Sequence, residues 1–420
     1  MRVPSSDELV EKLKGDKEFL AAVRGDLAKK VEELEERVKA LEPEPPKDML
    51  DLSRWTGIPV EELIEKTPEE LEKIAPLVLE VVADGGSITI DTSPTVLSGF
   101  EPQGEVVVTA NGKPLNELGE VEKGTELELV ISAGYYATKH TGFKAKRLVL
   151  MSNAAIGRNL YIGRYKIYKG ITDIAPEVFI YINNEIKFKN VFRDCNSLTS
   201  IPEGLFSGVT GNAESLFANA FSGCTSLTSI PEGLFSGVTG NAKSLFKSTF
   251  SGCTSLTSIP EGLFSGVTGN AEILFANAFG SCTSLTTIPE GLFSGVTGSA
   301  RNLFKSTFNG CKSLTSIPEG LFSGVTGNAR DLFAYTFYGC TSLTTIPEGL
   351  FSGVTGNANS NTVGLFDSTF YGCTSVKGTT PKINGKKIWV VFEFSASVGI
   401  KCFYKCTKLS DYNEIPNEWK

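Results

Sequence analysis

Residues 224–252 read CTSLTSIPEGLFSGVTGNAKSLFKSTFSG, and these 29 residues recur with few changes on either side. Cysteines at 195, 224, 253, 282, 311, 340 and 373 mark the period. Five intervals are 29 residues, and the sixth is 33 because four extra residues enter around 359–364. Self-similarity at a fixed period of this size is the signature of stacked coils, in which no unit can hide its own apolar face.

Each coil carries two patterns. LTSI alternates, with Leu198 and Ile201 as its first apolar pair, and is closed by Pro202; this predicts a very short strand. Ala213, Leu216, Phe217 and Phe221 have the spacing of one helix face, which predicts one or two helical turns. SGVTGN between them supplies turn residues. Stacking places each of Phe206, Phe217 and Phe221 on its equivalent in the next coil, and burying each ring stabilises by about 2 kcal/mol. A strand spacing of about 4.8 Å would make the six coils roughly 25–30 Å long.

The stretch L-T-S-I-P-E-G-L-F resembles the strand segment of leucine-rich repeats. The longer run G-V-T-G-N-A-x-x-L-F-x-x-x-F-x-G-C-T-S-L resembles the BspA-like leucine-rich-repeat surface proteins of gut and oral bacteria, and similar repeats occur in tail-fibre-like proteins of phages. The resemblance covers about 170–410, and departs from it in repeat length and in Ile-Pro where many leucine-rich repeats place Leu and Asn. It implies an adhesive protein that recognises a host or microbial surface.

Outside the regular coils, GITDIAPEVF (170–179) echoes L-T-S-I-P-E-G-L-F as a degenerate first coil. FYKCTKLS (403–410) echoes F-x-G-C-T-S-L, with Cys406 in register 33 residues after Cys373. KINGKKIWVVFEF between them reads as a hairpin covering the last coil. Such atypical ends close a repeat core.

Differences between near-identical coils select a candidate contact face. Positions 214–215, 243–244, 272–273, 301–302 and 330–331 read ES, KS, EI, RN and RD; positions 218–220, 247–249, 276–278 and 305–307 alternate ANA and KST. These positions flank the apolar stripe and should face solvent. The candidate ligand-binding residues are Glu214, Asn219, Lys243, Lys247, Glu272, Asn277, Arg301, Lys305, Arg330, Tyr335, Tyr338 and Tyr371. Unconstrained drift at solvated positions is the competing reading.

Charge divides the chain. Residues 1–84 hold 35 Asp, Glu, Lys and Arg, whereas 196–372 hold 16. Leu27, Val31, Leu34, Val38 and Leu41 follow 4-3-4-3 spacing, a coiled-coil seam of about two heptads that would oligomerise the chain. Val at a with Leu at d favours a dimer, whereas fibre proteins of the kind it resembles are trimers; an amphipathic helix lying on the body is the alternative. PEPP (43–46) stops that helix, and Thr67-Pro68-Glu69-Glu70 starts another with Thr as N-cap and Pro at N1. SITIDT, EVVVTANGKPL, TELELVI and RLVLM read as strands, with a hairpin turn at Ala110-Asn111-Gly112. The expected organisation is multidomain: a helical, coiled-coil-like anchor (1–46), a small helical segment (47–84), a small β domain (85–168), a leucine-rich-repeat-like α/β solenoid with 29-residue coils (169–380) and a C-terminal cap (381–420).

Little in the sequence points to catalysis. His140 is the only histidine, so no His-pair metal site exists and a Ser-His-Asp or Cys-His apparatus is disfavoured. The Glu column of the PEG triplets (203, 232, 261, 290, 319, 348) repeats in every coil, which argues for structure over an acid/base pair. The regular cysteines read as buried thiols, because equivalent side chains in adjacent coils point in parallel and cannot bridge readily; Cys402 and Cys406 could pair. No cofactor and no metal are expected. A net charge of −8 argues against nucleic acid, and no apolar run is long enough for membrane insertion. The N-terminus lacks an apolar secretory region: the mature chain begins there, a signal has been removed, or export uses another route. The expected function is host-receptor binding by a tail-fibre-like protein on a virion or phage-like particle. Its partners would be a cell-surface glycan or protein, and a baseplate or fibre component at the N-terminus. A bacterial cell-surface adhesin is the alternative, and a glycan-active enzyme a distant third.

Overall fold

The computed structural model describes residues 24–25, 29–30, 46–94, 105–151 and 170–420, the last stretch without 177, 180–187, 208, 210–212, 240–241, 270, 355–361 and 394–396. The chain forms two compact units, Met1–Glu65 and Lys66–Lys420. The coiled-coil seam at Leu27, Val31, Leu34, Val38 and Leu41 lies outside the described residues.

In the first unit, α1 (Lys47–Thr56) buries Leu52 and stops at Gly57, whose φ of 73° lets its N–H return to the Ser53 carbonyl. Helix α2 (Val60–Ile64) buries Leu63.

The second unit opens with α3 (Pro68–Ile74). Thr67 and Glu70 close the expected N-terminus reciprocally: Thr67 N donates to Glu70 Oε2 at 2.8 Å, and Glu70 N to Thr67 Oγ1 at 3.3 Å. The helical segment expected over 47–84 ends here. Leu77–Ala83 is instead strand β1, because Pro76 cannot continue a helix and the Val-rich run suits a covered sheet. It lies at the middle of a six-stranded sheet of order β10-β9-β1-β7-β4-β5, formed with β4 (Val108–Ala110), β5 (Lys113–Pro114), β7 (Glu126–Ile131), β9 (Phe143–Leu150) and β10 (Asp173–Ile174). β4 and β5 meet at the expected hairpin, where Asn111 (φ 48°) and Gly112 (φ 76°) both take the left-handed conformation of a two-residue turn. β2 (Gly86–Ser87) pairs β6 (Glu120–Val121), and β3 (Thr89–Pro94) pairs β8 (Tyr135–Thr141), each antiparallel.

The coil stack grows out of this sheet. β10 pairs parallel to β9, Thr172 N donates to the Lys146 carbonyl, and Thr199 N donates to the Thr172 carbonyl. Thr228, Thr257, Thr286, Thr315 and Thr344 repeat that bond to the threonine one coil back, at 3.0–3.3 Å, and their hydroxyls donate to the same carbonyls. The LTSI segments thus form a ladder of single rungs, and the strand expected in each coil is not formed: one backbone rung within each LTSI segment is too few to make one.

The helical turns are not formed either. In coil 224–252, Leu245, Lys247, Thr249 and Ser251 donate to the carbonyl three residues back, while Ser244, Phe246, Ser248, Phe250 and Gly252 donate to the next coil. An α-helix would spend every one of these N–H groups on itself. Every fourth residue is left-handed: Ser244 (φ 59°), Ser248 (56°) and Gly252 (76°), and likewise Ser215, Asn219 and Gly223 one coil earlier. Overlapping turns with a left-handed third position result, which is why Ser, Asn, Asp and Gly recur at four-residue intervals. We call this segment the turn ribbon. Its apolar side chains still share one face, as the helical spacing implied, because a period of four and one of 3.6 differ little over nine residues.

Three phenylalanine columns fill the interior. Phe206, Phe235, Phe264, Phe293, Phe322 and Phe351 stack at 5.9–6.2 Å between centroids, with planes within 8°. Phe217, Phe246, Phe275, Phe304 and Phe333 stack at 5.7–5.9 Å. Phe221, Phe250, Phe279, Phe308, Phe337, Phe370 and Phe403 stack at 5.5–5.7 Å. These spacings lie in the offset-stacked range and exceed the strand spacing expected from LTSI. All nine cysteines are buried and free. The column has a role: Cys253 Sγ donates to the Phe221 carbonyl at 3.2 Å, and Cys224, Cys282, Cys311, Cys340, Cys373 and Cys406 repeat this contact to the coil before. Burial pushes the Cys195, Cys282 and Cys406 thiols up to about 12.

At the C-terminal end, the expected hairpin is shorter than KINGKKIWVVFEF. β11 (Lys382–Ile383) and β12 (Lys386–Lys387) turn at Asn384 and Gly385, and Ile388–Val391 folds as helix α4, burying Ile388 and Trp389. Cys406 and Phe403 take their places in register. Lys401 N and Phe403 N donate to the Glu418 and Trp419 carbonyls, so the C-terminal residues stand in for a further coil. Asp411 clamps this cap: it accepts from Thr380 N at 3.0 Å, Thr380 Oγ1 at 2.7 Å, and Lys387 Nζ. Among the described residues no helix is long and apolar enough to cross a membrane.

Candidate recognition surface

The turn ribbon positions the candidate residues in four columns along the stack. Glu214, Lys243, Glu272, Arg301 and Arg330 occupy the first, and all are exposed. Lys247 (exposed) and Lys305 (half-buried) alternate with Ala276 and Ala334 in the second. Asn219, Asn277 and Tyr335 belong to the third, which is left-handed throughout. Tyr338 and Tyr371 belong to the fourth, where earlier coils place Ser222 and Ser251. The structure therefore brings all twelve onto one ribbon.

The columns differ in what explains them. Asn219 and Asn277 hold left-handed φ values of 55° and 58° that asparagine tolerates. Asn277 Nδ2 also donates to Ser248 Oγ at 3.3 Å and Ser251 Oγ at 2.9 Å, so this amide has a structural role in tying two coils together. Lys243 meets Glu272 at 3.5 Å across successive coils, and Lys305 and Arg330 meet Asp331 at 3.9 and 3.6 Å. Exposed and half-exposed pairs of this kind contribute about 1 kcal/mol or less.

Tyr335 has no such explanation. Its φ is 59° where the other coils place Ser or Asn, and its ring is 37% exposed. A left-handed L-residue without a compensating local bond costs about 1–2 kcal/mol, and this ring is not spent on the core. Tyr338 stacks on Tyr371 at 4.7 Å with planes 10° apart, and Tyr335 lies 6.0 Å from Tyr338. Tyr404 completes the column, 4.7 Å from Tyr371 with planes 30° apart. It escaped the sequence reading, although the register of FYKC on F-x-G-C marks it. Lys401 Nζ and Lys405 Nζ lie 6.0 and 5.5 Å from its centroid.

The described PEG glutamates are exposed, and Glu348 meets Lys382 at 3.0 Å. His140 sits in β8 with its ring 4.5 Å from that of Phe143. Among the described residues no group of three or more metal-binding side chains converges.

No family model matches the chain, and no curated protein matches it significantly. Among solved structures, a leucine-rich repeat protein from Bacteroides ovatus matches with a TM-score of 0.15 and 16% identity, over 58% of this chain and 94% of that one. At that TM-score the likeness carries no argument about fold or function.

Proposed function

We propose that this chain is a non-enzymatic recognition protein, built on a leucine-rich-repeat-like solenoid, whose turn ribbon meets a cell surface. The observation that carries the reading is the stacked, partly exposed column Tyr338–Tyr371–Tyr404, flanked by the exposed Tyr335. Aromatic rings placed on a surface otherwise made of Ser, Thr, Asn and alternating charge are the usual anchors of recognition. A rigid scaffold with variable exposed positions suits binding better than catalysis.

The setting we propose is a phage or phage-like particle, with the N-terminal segment attaching and oligomerising through Leu27, Val31, Leu34, Val38 and Leu41. Nine buried thiols, protonated at physiological pH, suit folding in a reducing cytosol before assembly. A bacterial surface adhesin is the second reading, favoured by the repeat itself, and structural virion genes or export genes next to this one separate the two.

The test is binding of the labelled full chain to a panel of bacterial and epithelial cells. The variant Tyr335→Ser/Tyr338→Ser/Tyr371→Ser restores the residue types of other coils and so keeps the fold. We expect it to lose binding; retention of full binding sinks the proposal.

A further inference from the structure

The aromatic column ends in an arrangement that no other coil has. Lys401 and Lys405 converge on the ring of Tyr404. Their φ values are 52° and 64°, at positions that other coils fill with Asn, Asp, Ser or Gly, Tyr335 apart. Lysine gains nothing there for the backbone. Among the described residues neither ammonium forms an ion pair, whereas Lys243 and Lys305 on the same ribbon do. Two like charges share one ring, so an anion arriving between them relieves their repulsion.

Geometry narrows the ligand further. Tyr371 has both faces covered, by Tyr338 and by Tyr404, so it meets a ligand with its rim and hydroxyl and not with a face. The ligand is then held by hydrogen bonds to a row of phenols whose ring centroids are spaced at 4.7 Å. An extended peptide repeats a face every two residues, about 6.7 Å, out of step with that row. A chain of 1,4-linked pyranoses advances one sugar over a distance similar to the row's spacing, and offers hydroxyl oxygens along its edge.

We propose that this end of the ribbon binds a linear anionic polysaccharide lying along the coils, with sugar oxygens on Tyr338, Tyr371 and Tyr404 and a carboxylate or sulfate on Lys401 and Lys405. The proposal rests on the ribbon being the recognition face. Titration of the full chain with polygalacturonate, cellulose sulfate and neutral dextran tests it, the first two separating carboxylate from sulfate as the anion. We expect an anionic polymer to bind and dextran not to. Lys401→Gln/Lys405→Gln should weaken binding about tenfold or more, equivalent to one strong contact. Tyr338→Phe/Tyr371→Phe/Tyr404→Phe keeps the rings, hence the fold, and should weaken it by a similar factor. Lys113→Gln, an exposed lysine of β5 away from the ribbon, should change it less than about twofold.

Equal binding of dextran, no binding of either anionic polymer, or an unaffected lysine variant overturns the proposal. If it falls while the serine variant still abolishes cell binding, the recognition function stands with a neutral glycan or protein receptor. If cell binding survives the serine variant, both readings fall.

Discussion

Replacing Gly252 with Ala separates the turn ribbon from a helix by the sign of its effect. Gly252 has φ 76°, and a Cβ added there would meet the Gly223 Cα at 3.6 Å, ordinary contact distance. Sterics with neighbours therefore contribute little, and the backbone decides. A left-handed alanine costs about 1–2 kcal/mol, offset by about 0.5 kcal/mol from the stiffer unfolded chain, leaving a net loss of about 1 kcal/mol. In a helix the same change would stabilise by about 1 kcal/mol. Gly310 (φ 72°) is the equivalent two coils on, where a Cβ would meet Ser281 Oγ at 3.6 Å. Ring spacings of 5.8 and 5.9 Å separate those coils, far enough for the two effects to add. Urea denaturation of the full chain should show the double variant less stable by about 2 kcal/mol, summing the two sites. A midpoint that rises refutes the turn assignment.

Three further outcomes follow from the packing. Phe264→Ala removes a ring, 1% exposed, that touches Phe235, Phe246, Phe275, Phe279 and Phe293, and should cost about 4 kcal/mol by denaturation. The thiols, raised by burial, should resist a thiol reagent at pH 8 in the folded protein, and all nine should react in denaturant; fast labelling of the native chain would contradict the buried column. Burial alone would raise the Asp411 carboxyl, but bonds from Lys387 and Thr380 hold it below its ordinary value. A depressed folded pKa stabilises above the unfolded value of about 3.9 and is lost as pH falls through the folded one. Asp411→Asn should therefore cost about 3 kcal/mol at pH 7, and the difference from wild type should shrink as pH drops below 4.

Much of this was legible in the sequence, and what was missed has a common cause. Period, buried faces, the Thr67 cap, the Asn111-Gly112 hairpin and the register of Cys406 each depend on spacing or on one residue's local chemistry. What spacing cannot fix is where an N–H group goes. Leu245 and Phe246 are neighbours in one apolar stripe, yet one bonds within its coil and the other across to the next. The clue lay in Ser, Asn and Gly recurring every fourth residue, which suits a left-handed position more than a helix interior. LTSI alternated like a strand, but Thr228 supplies only one backbone rung. Leu77–Ala83 follows α3 closely enough to suggest a continued helical segment, although its Val-rich run and Pro76 favour a strand. For the recognition face, variation between coils located the ribbon. It did not separate Asn277, which bonds its neighbours, from Tyr335, which the backbone does not explain.

Tyrosine footprinting by nitration and mass spectrometry, on the full chain free and bound to cells it adheres to, tests the recognition face most directly. The account predicts protection of Tyr335, Tyr338, Tyr371 and Tyr404 on binding, with Tyr135 of the sheet unchanged. Unaltered reactivity of the ribbon tyrosines in the bound state, with protection of the sheet instead, would contradict it.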